Sequence, residues 1–268
     1  LSAALQKVIA LAKEPCFLRS NIPSVTELFL DRDDRIKAIE SAFSSGQRMV
    51  FIHGMPGIGK SELAKRFAAL YKQNYDVVLF SNYTGSVDEL FASVTIENFE
   101  GKRTEKKPIL LRLLNQKVLW IIDGVNAIDY NGLGELEQLQ CHLLITGTIK
   151  WDEYLRGKPC FLDQLPEEYA FQLFEHAYGR PLLNDNAKIA RQIVRAIGYH
   201  TLLILLLAKQ IGAGIRTLAE TLAAIEQKGV IATSGEQIIY VKDDVWYETE
   251  LKAILKDVFD VEGFKRDD

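Results

Sequence analysis

The stretch "FIHGMPGIGKSELAKRF", Phe51 to Phe67, joins an apolar run to three closely spaced glycines, a lysine, a serine and an amphipathic helical pattern. Within it, Gly54-Met-Pro-Gly57-Ile-Gly59-Lys60-Ser61 fits the spacing G-x-x-x-x-G-K-[ST]. Glycines permit positive φ, so successive N–H groups can turn inward around an anion. A helix that starts near Gly59 adds a partial positive end, about half a charge, at the same place. Lys60 is then expected to reach the β- and γ-phosphates of a nucleotide, and Ser61 to place its hydroxyl on Mg²⁺. The bland alternative is a glycine-rich turn that binds nothing. The apolar strand before the loop, and the helix after it with Leu63, Phe67 and Leu70, argue against that.

A phosphate loop needs an acid for its metal. "VLWIIDG" supplies one, because Asp123 ends a buried strand, the Walker B position. Taken alone, a strand-end Asp is more often a turn former. The phosphate loop reverses those odds.

Five short apolar runs follow one another: Arg48–His53, Asp76–Phe80, Lys117–Ile122, Cys141–Thr146 and Cys160–Leu162. The first four are continuously apolar, as strands buried on both faces of a parallel sheet are. Helical patterns separate several of them, so this half is α/β. After Leu165 the strands stop. Helices are expected after Pro166, over Asp185–Ile197, Thr201–Ile211 and Arg216–Lys228, with Gly179, Gly198 and Gly229 as stops. "EQIIYV" (Glu236–Val241) reads as a short strand. Leu251, Ile254, Leu255, Val258 and Phe259 share a last helical face, and Leu1–Lys13 is helix-like. The chain opens on Leu1 and ends in "FKRDD", so it is expected to be a piece of a longer protein.

Composition excludes little else. The apolar and charged fractions, 48% and 25%, are those of a soluble globular protein. Lys+Arg 32 against Asp+Glu 36 gives −4, so bulk nucleic-acid binding is not indicated. The basic run Gly101–Lys107 reads as a solvated loop, with a nucleic-acid contact as the sharper alternative. Cys16, Cys141 and Cys160 lack metal-ligand spacing and read as reduced thiols of a cytoplasmic protein. The longest apolar run, Leu202–Ala208, is too short to cross a bilayer. His53 reads as a strand-end residue, His142 and His176 as structural or surface residues, and Trp120 as core. His200 is read as either a nucleotide neighbour or a helix-start cap.

The order of motifs resembles the NB-ARC-type nucleotide-binding module of the STAND class, signalling ATPases related to AAA+ proteins. The carrying segments are "FLDRDDRIKAI" (Phe29–Ile39), "GMPGIGKSELA", "VLWIIDGV", "LLITGT" (Leu143–Thr148), "FLDQLPEEYAFQLF" (Phe161–Phe174), "IGYHTLLILLL" (Ile197–Leu207) and "ETELKAILKDVFDVEGF". The resemblance implies a P-loop NTPase domain over 29–165, with the Walker A and B strands separated by the fourth. It implies a helical lid over 166–229, the beginning of a winged-helix domain over 230–268, and an N-terminal helix and linker over 1–28. ATP or ADP with Mg²⁺ would be held by Leu30, Arg32, Gly57, Ile58, Gly59, Lys60, Ser61, Glu62, His200 and Thr201. Ser61 and Asp123 would serve the metal. Lys60, Asp123 and Thr148 would serve catalysis, with Thr146 beside Thr148 at the sensor position. The implied partners are flanking effector and sensor domains and a homo-oligomer in the ATP state.

Four positions depart from the family pattern. Asp31 stands for a glycine, Gly124 for the second Walker B acid, Thr148 for the sensor arginine, and Thr201 for a proline whose packing its methyl group would replace. Together they weigh against fast hydrolysis more than against binding; Asn126 and Asp129 are candidate substitutes for the missing acid. The expected function is an ATP/ADP switch of low turnover. The alternatives are a module that holds ADP as structural glue and a P-loop small-molecule kinase. The kinase would need an arginine-bearing lid close after Asp123, where the sequence is instead "NAIDYNGLGELEQ".

Overall fold

The computed structural model describes residues 15–115, 117–126, 130–148, 157–228, 237–242 and 245–250. The helices expected at Leu1–Lys13 and around Leu251–Phe259 lie outside them. In chain order the elements are β1 (Phe17–Leu18), α1 (Asp33–Ser44), β2 (Met49–His53), α2 (Lys60–Tyr71), β3 (Val77–Asn82), α3 (Val87–Ser93) and β4 (Ile96–Glu97). There follow α4 (Arg103–Leu113), β5 (Val118–Asp123), α5 (Tyr130–Glu137), β6 (His142–Gly147), β7 (Lys158–Phe161), α6 (Glu167–Tyr178), α7 (Asn184–Ala196), α8 (Thr201–Gly212) and α9 (Leu218–Lys228). The hairpin β8 (Gln237–Lys242) and β9 (Val245–Glu250) completes them.

The fold is a five-stranded parallel sheet flanked by helices, in the order β3-β5-β6-β2-β7. β6 therefore lies between the phosphate-loop strand β2 and β5, which ends in Asp123, as the family resemblance implies. β3 and β5 run in register from Val77 opposite Val118 to Asn82 opposite Asp123. All six residues of β5 are buried, which explains why the strand reads as an unbroken apolar run.

The chain divides into two compact units. One comprises Leu1–Ile22, Ser41–Phe51 and Arg66–Pro159; the other comprises Pro23–Glu40, Ile52–Lys65 and Cys160–Asp268. In the first, Trp120 is fully buried, tilts against Phe91 with ring centres 5.8 Å apart, and donates its indole N–H to Ser81 Oγ at 3.0 Å. Strand β3 is the edge of the sheet. Its outer backbone groups are met by residues ahead of α1: Ser20 Oγ accepts from Val78 N, and Asn21 N donates to Val78 O. The Asn21 amide then accepts from Phe80 N at 2.7 Å and donates to Phe80 O at 2.9 Å. One side chain thus does what a neighbouring strand's backbone would do, and it closes an edge that would otherwise template aggregation.

The basic run Gly101–Lys107 is not the loop expected from its composition. Helix α4 begins at Arg103. Lys107 bridges Asp88 of α3 at 3.0 Å and Glu135 of α5 at 2.7 Å, and lies over the Phe91 ring. The last lysine of the run is thus paired with acids on two neighbouring helices rather than left to solvent.

In the second unit, α6 to α9 pack around Phe174, Ala190, Ile193, Val194, Ile204 and Leu207, all at or near zero exposure. Glu167 and Glu168 sit in the first turn of α6, where the helix dipole favours them, and Gly179 ends it in the left-handed region at φ 84°.

Replacing Asn21 with alanine removes both Phe80 bonds. The expected loss of stability is about 1–2 kcal/mol, measured by urea unfolding.

Candidate functional site

The phosphate loop and the start of α8 belong to the same unit. Gly57 has φ +71°, and a Cβ there would lie 2.8 Å from His200 Cε1 and 2.9 Å from Leu202 Cβ. Both the backbone conformation and the space require glycine. Lys60 opens α2, is buried, and donates from Nζ to the carbonyls of Gly54 at 3.0 Å and Met55 at 2.8 Å. The ammonium is thereby fixed inside the loop. Glu62 accepts from Lys65 Nζ at 3.0 Å and from Thr26 N at 3.2 Å, tying α2 to the segment ahead of α1.

The Asp31 departure has a structural account. Asp31 adopts φ 50°, the left-handed conformation that suits a glycine at this position and that aspartate tolerates better than most residues. The next residue, Arg32, is turned inward and donates to the Asp163 carbonyl at 2.6 Å. Burial lowers the Arg32 pKa, and nearby Asp31 opposes that shift. Thr201 adds a contact that its methyl group does not supply: its hydroxyl donates to the Ile58 carbonyl at 3.2 Å.

A cavity of about 500 Å³ opens within this unit. Six of the residues singled out in the sequence line it: Leu30, Arg32, Ile58, Gly59, Glu62 and Thr201. Gly57, Lys60, Ser61 and His200 do not contribute to its lining. Four of the lining residues that sequence reasoning missed are Leu173 and His176 on α6 and Leu205 and Lys209 on α8. Thr201, Leu205 and Lys209 are spaced four apart, so one face of α8 forms a wall that is apolar in the middle and cationic at its end.

In the other unit, Asp123 is buried, and its Oδ1 accepts from Thr146 Oγ1 at 2.6 Å. Thr146 Oγ1 in turn accepts from Gly124 N at 3.1 Å. Gly124 sits at φ +83°, where any side chain would be strained. Thr148 donates from both N and Oγ1 to Asn126 Oδ1, at 3.2 and 3.0 Å. Thr146 thus orients the acid, and Thr148 occupies the Asn126 oxygen. Asp129 lies outside the described residues.

Comparison with known proteins bears on this arrangement. Residues 49–141 match the AAA domain, dynein-related subfamily. No curated protein matches the chain. A Walker-type ATPase of Pyrococcus abyssi superposes with a TM-score of 0.54 over 78% of this chain and 75% of its own, at 11% identity. The fold is that of a P-loop ATPase. Two more distant likenesses are a STAND protein with a tetratricopeptide-repeat sensor from Pyrococcus horikoshii and a point variant of RuvB from Thermotoga maritima. The first has TM-score 0.46 and 18% identity, covering 69% of this chain and 30% of that one. The second has TM-score 0.49 and 16% identity, covering 83% and 74%. Among the described residues, no helix of this ATPase fold is long and apolar enough to cross a membrane.

His53, His142 and His200 all bind a proton less readily than the ordinary imidazole value of 6.5, chiefly because burial penalises the charged ring. Below that value the unfolded chain takes up protons that the folded rings refuse. Stability is therefore full above pH 6.5 and is lost as pH falls toward and through the lowered folded values. Circular-dichroism melts are expected to show a lower melting temperature at pH 5.5 than at pH 7.5. In the same assay at neutral pH, Gly57→Ala is expected to lower the melting temperature, because a side chain at φ +71° is strained and its Cβ would press on His200 and Leu202.

Proposed function

We propose that this chain binds ADP or ATP with Mg²⁺ and acts as a nucleotide-dependent switch of the NB-ARC/STAND type, with slow hydrolysis in isolation. The observation that carries the reading is the cavity. One wall comes from the phosphate loop, through Ile58 and Gly59, and the others from Leu30, Arg32 and the Thr201 face of α8. The apolar residues Leu30, Leu173 and Leu205 suit a planar base, while the loop amides and Lys60 suit the phosphates. The sequence pattern assigns the Ser61 hydroxyl and the Asp123 carboxylate to Mg²⁺, which takes few protein oxygens when phosphates supply the rest.

The slow-hydrolysis part rests on two observations. Position 124 holds its backbone at positive φ, so it is ill suited to a second acid. The Asn126 oxygen already accepts two bonds from Thr148 and is not available to a water molecule. The same facts favour, as a second reading, a module that retains ADP as structural glue. Release of phosphate from Mg²⁺-ATP separates the two. Flanking effector and sensor domains and a homo-oligomer of the ATP-bound protein are the partners we assign to the switch.

ADP at about 100 times its Kd should stabilise the protein by about 2.7 kcal/mol. For a chain of this size that corresponds to a melting-temperature rise of roughly 5–10 °C. Lys60→Ala should abolish the rise while the protein stays folded, with some loss of melting temperature from the two carbonyl bonds removed; a full rise in that variant contradicts the reading. Single-turnover assays with radiolabelled ATP should give a rate far below the roughly 10 s⁻¹ typical of enzymes. Brisk turnover abolished by Asp123→Ala would refute the slow-hydrolysis part.

A further inference from the structure

Three consecutive carbonyls of the phosphate loop are bound by three consecutive residues at the start of α8. His200 Nε2 meets Pro56 O at 2.8 Å, Leu202 N donates to Gly57 O at 3.1 Å, and Thr201 Oγ1 donates to Ile58 O at 3.2 Å. All the described peptide bonds are trans, so each plane points its N–H opposite to its C=O. Anchoring these carbonyls on α8 therefore turns the N–H groups of Gly57, Ile58 and Gly59 away from it. Ile58 N accordingly points back across the loop to the Met55 carbonyl at 3.4 Å. The orientation of the loop amides follows from where their carbonyls are held.

Of the three anchors only His200 titrates. A carbonyl accepts and never donates, so the 2.8 Å contact places the proton on Nε2. At the other edge of the ring, Leu203 N donates to Nδ1 at 3.4 Å and caps the helix. Both bonds are met by one state, the neutral Nε2–H tautomer. The ring is 3% exposed, and the charged group that acts on it is the Lys60 ammonium, presented by α2. A proton added at Nδ1 would set a donor against the Leu203 N–H and a cation near Lys60.

We propose that His200 is a positioning residue for the phosphate loop, and that affinity for a nucleoside diphosphate requires this imidazole to stay in its neutral Nε2–H form. The proposal rests on the nucleotide reading above and adds to it a dependence that the family resemblance does not contain. Two substitutions separate the two edges of the ring. Asparagine places an oxygen where Nδ1 sits, which preserves the helix cap but does not reach Pro56. Glutamine reaches Pro56 with an N–H but gives up the cap.

The test is ADP affinity by calorimetry at pH 7.5 and 5.5, with melting temperature followed in parallel. At pH 7.5, His200→Asn should bind ADP about fivefold to tenfold more weakly than wild type, the size of one hydrogen bond. His200→Gln should recover most of that loss despite its missing cap. Any weakening of wild type on going from pH 7.5 to 5.5 should be largely absent from His200→Gln, which has no group to protonate there. A purely structural role predicts the reverse order, with affinity following melting temperature and the capped His200→Asn binding like wild type; that result overturns the proposal. Nitrogen-15 spectra showing an Nδ1–H tautomer also overturn it. Wild-type binding with His200→Asn unaffected refutes this proposal alone, whereas no ADP binding by wild type refutes the nucleotide reading and this proposal with it.

Discussion

The carbonyls of Pro56, Gly57 and Ile58 are held by His200, Leu202 and Thr201, and most of the candidate site depends on that contact. It requires glycine at position 57, where no Cβ fits beneath the imidazole and Leu202. It fixes the first turn of α8, and with it the register of Thr201, Leu205 and Lys209 along the cavity wall. The three bonds come from different groups, a ring nitrogen, a backbone N–H and a hydroxyl, so the contact depends on the residue types as well as on the backbone. Each bond adds only about 1 kcal/mol of net stability, but leaving the buried partners unmade would cost more.

The end of β5 is built on a different principle. Asp123 is oriented by a threonine from the adjacent strand, and the residue after it has the one backbone conformation that disfavours a side chain. The Thr148–Asn126 pair then uses up the nearest polar oxygen. Such an arrangement suits holding a charged ligand better than activating water, and this is why the proposed activity is that of a switch. A two-state element needs differential contacts to its ligands, not rapid chemistry.

Much of this was legible in the sequence, for identifiable reasons. Strands buried on both faces leave continuous apolar runs, and the phosphate loop needs glycine, lysine and serine at fixed spacing, so β2, β5, β6 and Lys60 could be placed from residue types alone. The cavity residues on α6 and α8 could not. Lys209 and His176 look like ordinary surface residues until α6 and α8 are packed, because their role depends on which helix face turns inward. The left-handed Asp31 was hidden because aspartate is common in many conformations. Composition alone suggests a loop for the basic run before Pro108, because Asp88 and Glu135, which pair with Lys107, are distant in sequence. The bond from the Thr201 hydroxyl is not legible in the sequence, because its acceptor, the Ile58 carbonyl, is brought to it only by the fold.

The central claim is that the cavity beside Gly57–Lys60 is made for an adenine nucleotide. The most direct measurement is to denature the purified protein and chromatograph what it releases. The account predicts ADP or ATP at close to one mole per mole of wild-type protein, either retained through purification or taken up after incubation with Mg²⁺-ADP and gel filtration. It predicts none from the Lys60→Ala protein treated identically. Wild-type protein that is folded, incubated with nucleotide and found empty would contradict it.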